Sequence, residues 1–510
     1  ADKDPAGRTF DQRIQDAVTL LQRKEQSNTL EYLRHIIIDE IQDVVGDRSM
    51  LVCAILARLA PDAGFTVLGD PLQAIYDFQL RNSSNGSTSD VLLSALKGEL
   101  KASEYRLTGN YRALSDDAHE VVHLGNHMRQ IERGGQRLTF VSAFVRRLSS
   151  LGTARDLAPI LWRWKGTTAI LCMTNGEALE VSRLLAEQGV SHRVRRAAED
   201  LSLPAWVAMA FANSPRKQLT ESEAMDLIGR TGGSPPVQEA WDLLKSVEGN
   251  RYASDHLDLD VLSLRFQGGD IPVPLADSGE AEVIVSTIHK AKGLQFDNVI
   301  VLETTDPSYR DHDADERDQL LDERARVLFV AVSRARSRIH VIRPEPKART
   351  VVTFSSANGP MRWQVLPFPG AKGRPLAFEL LSSDIDRQDS RLDSQGARID
   401  AVAESIRQGS LAYAMLEGDG RLTRIPKYRL EQDGRVLGLI APMFADSLRK
   451  RIGANAPWPT RLDGIVIDGV ETVAGSELGN SGGATFWLGI RAGGLADLTF
   501  PDRDDKGSTA

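Results

Sequence analysis

Residues 35–43 read His-Ile-Ile-Ile-Asp-Glu-Ile-Gln-Asp, an apolar β-branched run that ends on carboxylates. Ile36, Ile37 and Ile38 have the composition of a buried parallel strand. Such a strand delivers Asp39 and Glu40 to its carboxyl end, the edge at which open α/β sheets place their ligands. Phe65-Thr66-Val67-Leu68 repeats the pattern and runs into Gly69-Asp70-Pro71-Leu72-Gln73. Two strands of this kind, separated by an apolar helical stretch, point to an α/β fold. A strand-end aspartate can hold Mg²⁺, and an adjacent glutamate can polarise an attacking water. Asp39 is therefore the candidate metal ligand and Glu40 the candidate base.

Further blocks follow in order. They are Gly69 to Phe78, which contains Gln73, Ile75 and Tyr76, then Gly109-Asn110-Tyr111-Arg112 and Ala169 to Asn175. Val285-Ser286-Thr287-Ile288-His289-Lys290-Ala291-Lys292-Gly293-Leu294-Gln295-Phe296-Asp297 comes next, and Leu328 to Ala335 closes the series. With Asp39-Glu40-Ile41-Gln42-Asp43 at their head, these blocks resemble the UvrD/Rep/PcrA group of superfamily 1 helicases over residues 30–345.

The resemblance implies tandem RecA-like domains of the P-loop NTPase class, the first incomplete, with a helical insertion and a β-rich C-terminal domain. Residues 1–34 are expected to be the tail of a helical insertion or a linker. Residues 35–155 are the C-terminal part of the first RecA-like domain, and 156–194 with 281–345 the second. Residues 195–280 form the insertion, and 346–510 an accessory domain with a helix near 385–408. Ile385, Leu392, Ile399 and Ile406 recur every seven residues there, as in an amphipathic helix or a short coiled coil. Helices are also expected over 52–59, 115–131 and 141–149 from apolar spacing.

The family's opening phosphate loop, Gly-x-x-x-x-Gly-Lys-Thr, does not occur in the 510 residues. Its backbone N–H groups and lysine would cradle the β- and γ-phosphates. Two readings stand side by side. Either the chain is a fragment or split-gene product of a longer helicase, or it is a natural chain that has lost the loop or receives it from another subunit.

Composition narrows the class. Hydrophobic residues make up 41% and charged residues 26%, as in ordinary globular protein. A net charge of −8 argues against a wholly basic nucleic-acid binder, although a local groove suffices for a helicase. Cys53 and Cys172 both lie in apolar stretches, which suits buried thiols and a cytoplasmic location. No run is long and apolar enough to span a bilayer, and neither a signal peptide nor a zinc-ligand spacing is expected.

The resemblance assigns roles residue by residue. Asp39 is the Mg²⁺ partner and Glu40 the activator of water. Gln73 senses the γ-phosphate, and Arg112 and Arg334 supply one guanidinium each to it, a task suited to a permanently charged fork. Tyr111 stacks on adenine, and Gln295 stands where the family usually has a glutamate facing the ribose. On the DNA side, Tyr76 and Phe78 provide stacking, while Thr287 and His289 match positions that touch the DNA backbone. Met173 replaces an arginine common in the family, which puts that contact in doubt.

The expected function is an ATP- and Mg²⁺-dependent DNA helicase or translocase, moving 3′ to 5′ on single-stranded DNA. The alternative is an ATPase-inactive module that binds DNA or a partner. Expected partners are single-stranded or duplex DNA, an upstream segment or subunit bearing the phosphate loop, and a protein docked on the C-terminal domain.

Overall fold

A computed structural model describes residues 9–23, 30, 32–77, 80, 87–107, 109, 113–195, 202–249, 255–276, 281–304, 309, 311–346, 349–355, 359–388, 390–392, 399–418, 425–475 and 485–501. The chain divides into two compact units. The first holds Ala1–Ser149, Ala291–Val299 and Thr305–His340, and the second holds the remainder.

In the first unit, β1 (His35–Ile38) pairs in parallel with β2 (Gly64–Val67), Ile36 lying opposite Phe65 and Ile38 opposite Val67. Side chains alternate across a strand, so Ile36, Ile38, Phe65 and Val67 share one face. That face packs on the helices Asp47–Leu56 and Ser89–Gly98 through Leu56, Leu92 and Leu96. The other face carries Ile37, which is 70% exposed. The fully buried strand expected from the isoleucine run is thus half-buried. A two-stranded sheet with helices on one side leaves every second side chain uncovered.

Among the described residues this unit also holds the helices Phe10–Gln22, Asp116–Met128, Gly134–Arg147 and Ala314–Val332, the last three packed together. Their contacts depend on glycine. A Cβ on Gly125 would come within 2.8 Å of the Phe329 ring, and one on Gly134 within 2.2 Å of the Asp318 carbonyl oxygen. The Asp318 carboxylate accepts the N–H groups of both Gly134 and Gly135 at 2.9 Å. It thereby caps a helix that has no side-chain cap of its own. These bonds hold the Asp318 carboxyl below its ordinary pKa. The helix expected over 52–59 runs instead over Asp47–Leu56, and that expected over 141–149 starts at Gly134.

The second unit holds the strands Thr168–Cys172, Val283–Thr287 and Arg193–Val194. The strand Val283–Thr287 pairs in parallel with Thr168–Cys172 and with Arg193–Val194. The helix Asn175–Glu187 begins at a capping box made by Thr174 and Glu177. Its Val181, Leu184 and Leu185 pack on Ile170, Val285 and Ile300.

The insertion and the C-terminal region share one core. Trp206, Phe211, Trp241, Leu244 and Phe266 of the insertion join Phe378, Phe444, Phe486 and Leu488 in a single cluster. The C-terminal region is an antiparallel sheet, and a short strand of the insertion, Leu203–Pro204, adds to Arg461–Ala474 within it. Among the described residues the helix expected near 385–408 runs over Ile399–Ser405. Ile385 forms a bridge with Ile440, and the Leu392 N–H donates to the Leu488 carbonyl at 3.0 Å. The seven-residue spacing does mark buried positions, but sheet partners have taken the backbone that a longer helix would need.

Candidate functional site

The carboxyl ends of β1 and β2 bring the first two sequence blocks together. Glu40 adopts a left-handed backbone, φ 54°, as the chain leaves β1. Asp39 and Glu40 are both exposed there. The Asp39 Oδ1 accepts the Glu40 N–H at 2.8 Å. Gln42 is buried behind them and works in two directions. Its Nε2 donates to Glu40 Oε2, and its Oε1 accepts the Asp70 N–H at 3.1 Å. One amide therefore ties the end of β1 to the end of β2.

Gln73 forms the hub. Its Nε2 donates to Asp70 Oδ2 at 3.0 Å, and its Oε1 accepts Arg334 Nη2 at 3.0 Å. Its backbone carbonyl accepts Lys292 Nζ at 2.7 Å. Arg334 is only 2% exposed. It also donates to the carbonyls of Val330 at 3.1 Å and Leu294 at 3.3 Å, and to Ser333 Oγ at 2.9 Å. Its position, one residue past the helix Ala314–Val332 and its C-cap Ser333, aims it back at this hub.

Lys292 pairs with Asp43 and lies 5.1 Å from the centre of the Tyr76 ring. Burial pushes the Asp43 carboxyl above its ordinary value, and the ammonium of Lys292 opposes that push only in part. Burial likewise raises the Tyr76 phenol, and the charges of Asp43 and Glu40 add to the effect. Asp77 is raised by burial too, against the pull of Arg326, 3.3 Å away. Lys292 is a buried cation at this junction to which the sequence reading assigned no role, although it stands in the block Val285–Asp297.

The other expected positions scatter. Gln295 Oε1 accepts Arg336 Nε at 3.0 Å, so its amide is engaged by an arginine. Thr287 and His289 belong to the second unit. Thr287 is buried, and its Oγ1 accepts the Lys290 N–H at 3.3 Å at the start of the short helix Ile288–Ala291. His289 is half-buried. Phe78, Tyr111 and Arg112 lie outside the described residues.

Asp39 and Glu40 suit Mg²⁺ in kind, because that ion binds through one or two carboxylates and keeps much of its water. Among the described residues no group of three or more His, Cys, Asp or Glu side chains gathers for a metal. One metal-ligand spacing is nevertheless present, contrary to the sequence expectation. His119-Glu120-Val121-Val122-His123 puts two exposed imidazoles one turn apart on the helix Asp116–Met128. With no third ligand among the described residues, it lacks the set that zinc enzymes use.

Residues 275–345 match the model of the UvrD-like helicase C-terminal domain. That segment includes Thr287, Lys292, Gln295 and Arg334. The match bears out the resemblance read from the sequence blocks. Comparison with curated proteins gives no match.

Proposed function

We propose that this chain, a UvrD-like superfamily 1 helicase by the domain it carries, is the motor portion of an ATP-driven DNA translocase. It moves 3′ to 5′ on single-stranded DNA through two RecA-like cores, in the cytoplasm. Its phosphate-binding loop comes from outside these 510 residues. The observation that carries the reading is the bond between Arg334 and Gln73. It joins the block after β2 to a block of the matched segment, and Asp70 and Gln42 carry the chain of bonds on from Gln73 to Glu40.

In this reading Glu40 takes a proton from the attacking water. Asp39 would hold Mg²⁺, which when bound would neutralise charge on the phosphates. Arg334 leaves the Gln73 amide for the transferred phosphoryl group, and Arg112 joins it. Tyr111 and Gln295 hold the base and the ribose. Lys292 sits between Asp43 and the Tyr76 ring, where it can report changes at the strand ends to Tyr76 and Phe78 on the DNA path. Thr287 and His289 complete that path. A protein partner would dock on the C-terminal domain.

The test supplies the missing part. A purified segment bearing Gly-x-x-x-x-Gly-Lys-Thr is mixed with the chain, and ATP turnover is measured with and without single-stranded DNA. DNA-stimulated turnover is expected only in the mixture. Glu40→Gln should remove it while ATP still binds. Full turnover by Glu40→Gln would sink the assignment of the base.

A further inference from the structure

The strands Arg362–Leu366 and Ala377–Leu380 of the C-terminal sheet pair antiparallel and are joined by the loop 367–376. The loop is tied at its base and along its return. The Leu376 N–H donates to the Val365 carbonyl at 2.8 Å, and the Ala371 N–H to the Phe368 carbonyl at 3.2 Å. Arg451, in the last turn of the helix Pro442–Ile452, donates through Nε to Gln364 Oε1 and through Nη2 to the Gly373 carbonyl at 2.9 Å. The Arg374 guanidinium lies 4.7 Å from the centre of the Phe500 ring. A loop held in this way loses little conformational freedom when a ligand arrives.

The charges at this corner are unbalanced. Lys372 and Lys450 are exposed, and Arg374 and Arg451 are half-buried. Lys372, Arg374, Lys450 and Arg451 have no carboxylate partner among the described residues. Burial pulls the Arg451 guanidinium below its ordinary value, and no carboxylate pulls it back. In the same sheet Arg362, Arg429 and Arg461 each have an acidic partner. Arg449 differs again, because the carbonyls of Gly453 and Ala456 and the Trp458 ring occupy it. On a chain whose net charge is −8, this corner is a local positive field that draws polyanions.

A polyanion that carries flat bases fits better than an acidic polypeptide. Phe368 is 61% exposed on the same loop, and no other ring or cation covers it among the described residues. An open ring beside cations is the pairing that single strands use, with a base on the ring and phosphates along the cations. A duplex keeps its bases in their own stack and offers this ring nothing.

We propose that this corner of the C-terminal sheet is a contact for single-stranded nucleic acid. Lys372, Arg374, Lys450 and Arg451 hold phosphates, and Phe368 stacks on a base. The inference goes beyond the motor reading, which uses none of these residues, and either can fail without the other.

The probe is a fluorescent oligothymidylate of about twenty nucleotides, long enough to cover one such site, with 5-iodouracil at one position. It is titrated with the full chain and followed by anisotropy, and the complex is then photolysed. A cross-link on the loop 367–376 is expected. Phe368→Ala should weaken binding about tenfold. Lys372→Ala with Lys450→Ala should lower the slope of log affinity against log salt by about 1.4. The substituted side chains are exposed, and unchanged thermal melts check that the variants fold. A duplex of the same length should compete less well than the single strand. An oligouridylate run in parallel separates ribose from deoxyribose, and binding of either single strand supports the proposal. It is overturned if no cross-link falls on the loop, if Phe368→Ala binds like the parent chain, or if the double variant keeps the parent slope. Poly-glutamate competing as well as the oligonucleotide would also overturn it, by giving the corner to an acidic polypeptide. Asp502, Asp504 and Asp505 follow Phe500 in the sequence, so a chain ending at Pro501 is run beside the full one. Binding seen only in the shortened chain would assign the corner to the chain's own carboxylates and overturn the proposal.

Discussion

Arg334 donates to the side-chain oxygen of Gln73 at 3.0 Å across 261 residues of sequence. The same glutamine amide donates to Asp70 through its nitrogen. Both ends of one neutral side chain are therefore in use, one on a cation and one on an anion. A phosphate arriving at this place competes for the cation with an amide, which is the weaker acceptor. The bond holds Arg334 in place without holding it tightly.

Arg334→Ala should cost both fold and turnover. The guanidinium is buried and makes bonds to Val330, Leu294, Ser333 and Gln73, and truncation strands those acceptors. A loss of about 2–4 kcal/mol is expected from urea unfolding. Arg334→Lys keeps the charge but not the fork. It should recover much of the stability, while turnover in the chain supplied with a phosphate loop stays down by about a thousandfold. Near-normal turnover in Arg334→Lys would count against direct phosphate contact.

Lys292 and Asp43 form a pair in which the lysine side chain is 3% exposed and the aspartate 28%. Removing the lysine leaves a carboxylate already raised by burial with no counter-charge. Lys292→Met should destabilise the first unit by about 3 kcal/mol. Adding Asp43→Asn should return part of that loss, giving a coupling of about 1 kcal/mol or more in a double-mutant cycle. Strict additivity in urea titrations would show that the pair is not coupled.

The same carboxyl predicts a pH dependence. The folded pKa of Asp43 lies above its unfolded value of 3.8. Between the two values the folded chain binds more protons than the unfolded chain, so the stability this group contributes is complete below the unfolded value and is lost as pH rises through the folded one. Asp318 runs the other way, since its folded pKa is lowered and its contribution is lost as pH falls through that value. Melting temperatures taken upward from about pH 4 should show a component falling with pH that Asp43→Asn removes and Asp318→Asn leaves. An unchanged pH profile in Asp43→Asn would refute the assignment.

Much of this site is legible in the sequence, because strand ends are local. The isoleucine run that ends on Asp39 and Glu40 and the Phe65–Leu68 run that ends before Gln73 follow from neighbours within a few residues, whereas the left-handed backbone at Glu40 does not. Side-chain burial is not local. Nothing in Ile36-Ile37-Ile38 says that only one face of the sheet is covered, so Ile37 is misread. The spacing of Ile385, Leu392, Ile399 and Ile406 marks buried positions correctly. Its periodicity does not reveal that Ile385 and Leu392 are tied to sheet strands. The insertion and C-terminal region share a core because Leu203–Pro204 pairs with Thr472 and Glu471, a contact across more than half the chain that no local pattern encodes.

The C-terminal core supplies a prediction independent of any function. Arg362 and Asp384 are both 0% exposed, bonded at 2.5 and 2.8 Å. Asp384 also accepts the Leu381 N–H at 2.7 Å, and Arg362 donates to the Glu379 carbonyl at 3.0 Å. The guanidinium lies 5.7 and 5.8 Å from the rings of Phe378 and Phe444, so little water can replace a lost partner. Asp384→Ala leaves that cation uncompensated and should cost about 3–5 kcal/mol. Replacing both groups by apolar residues, Arg362→Met with Asp384→Leu, removes the stranded charge and should recover a large part of the loss. Thermal melts of the three proteins decide the matter. If the double variant is no more stable than Asp384→Ala, the ion pair contributes bonds that apolar packing cannot replace, and the cost of a stranded charge is not what governs this core.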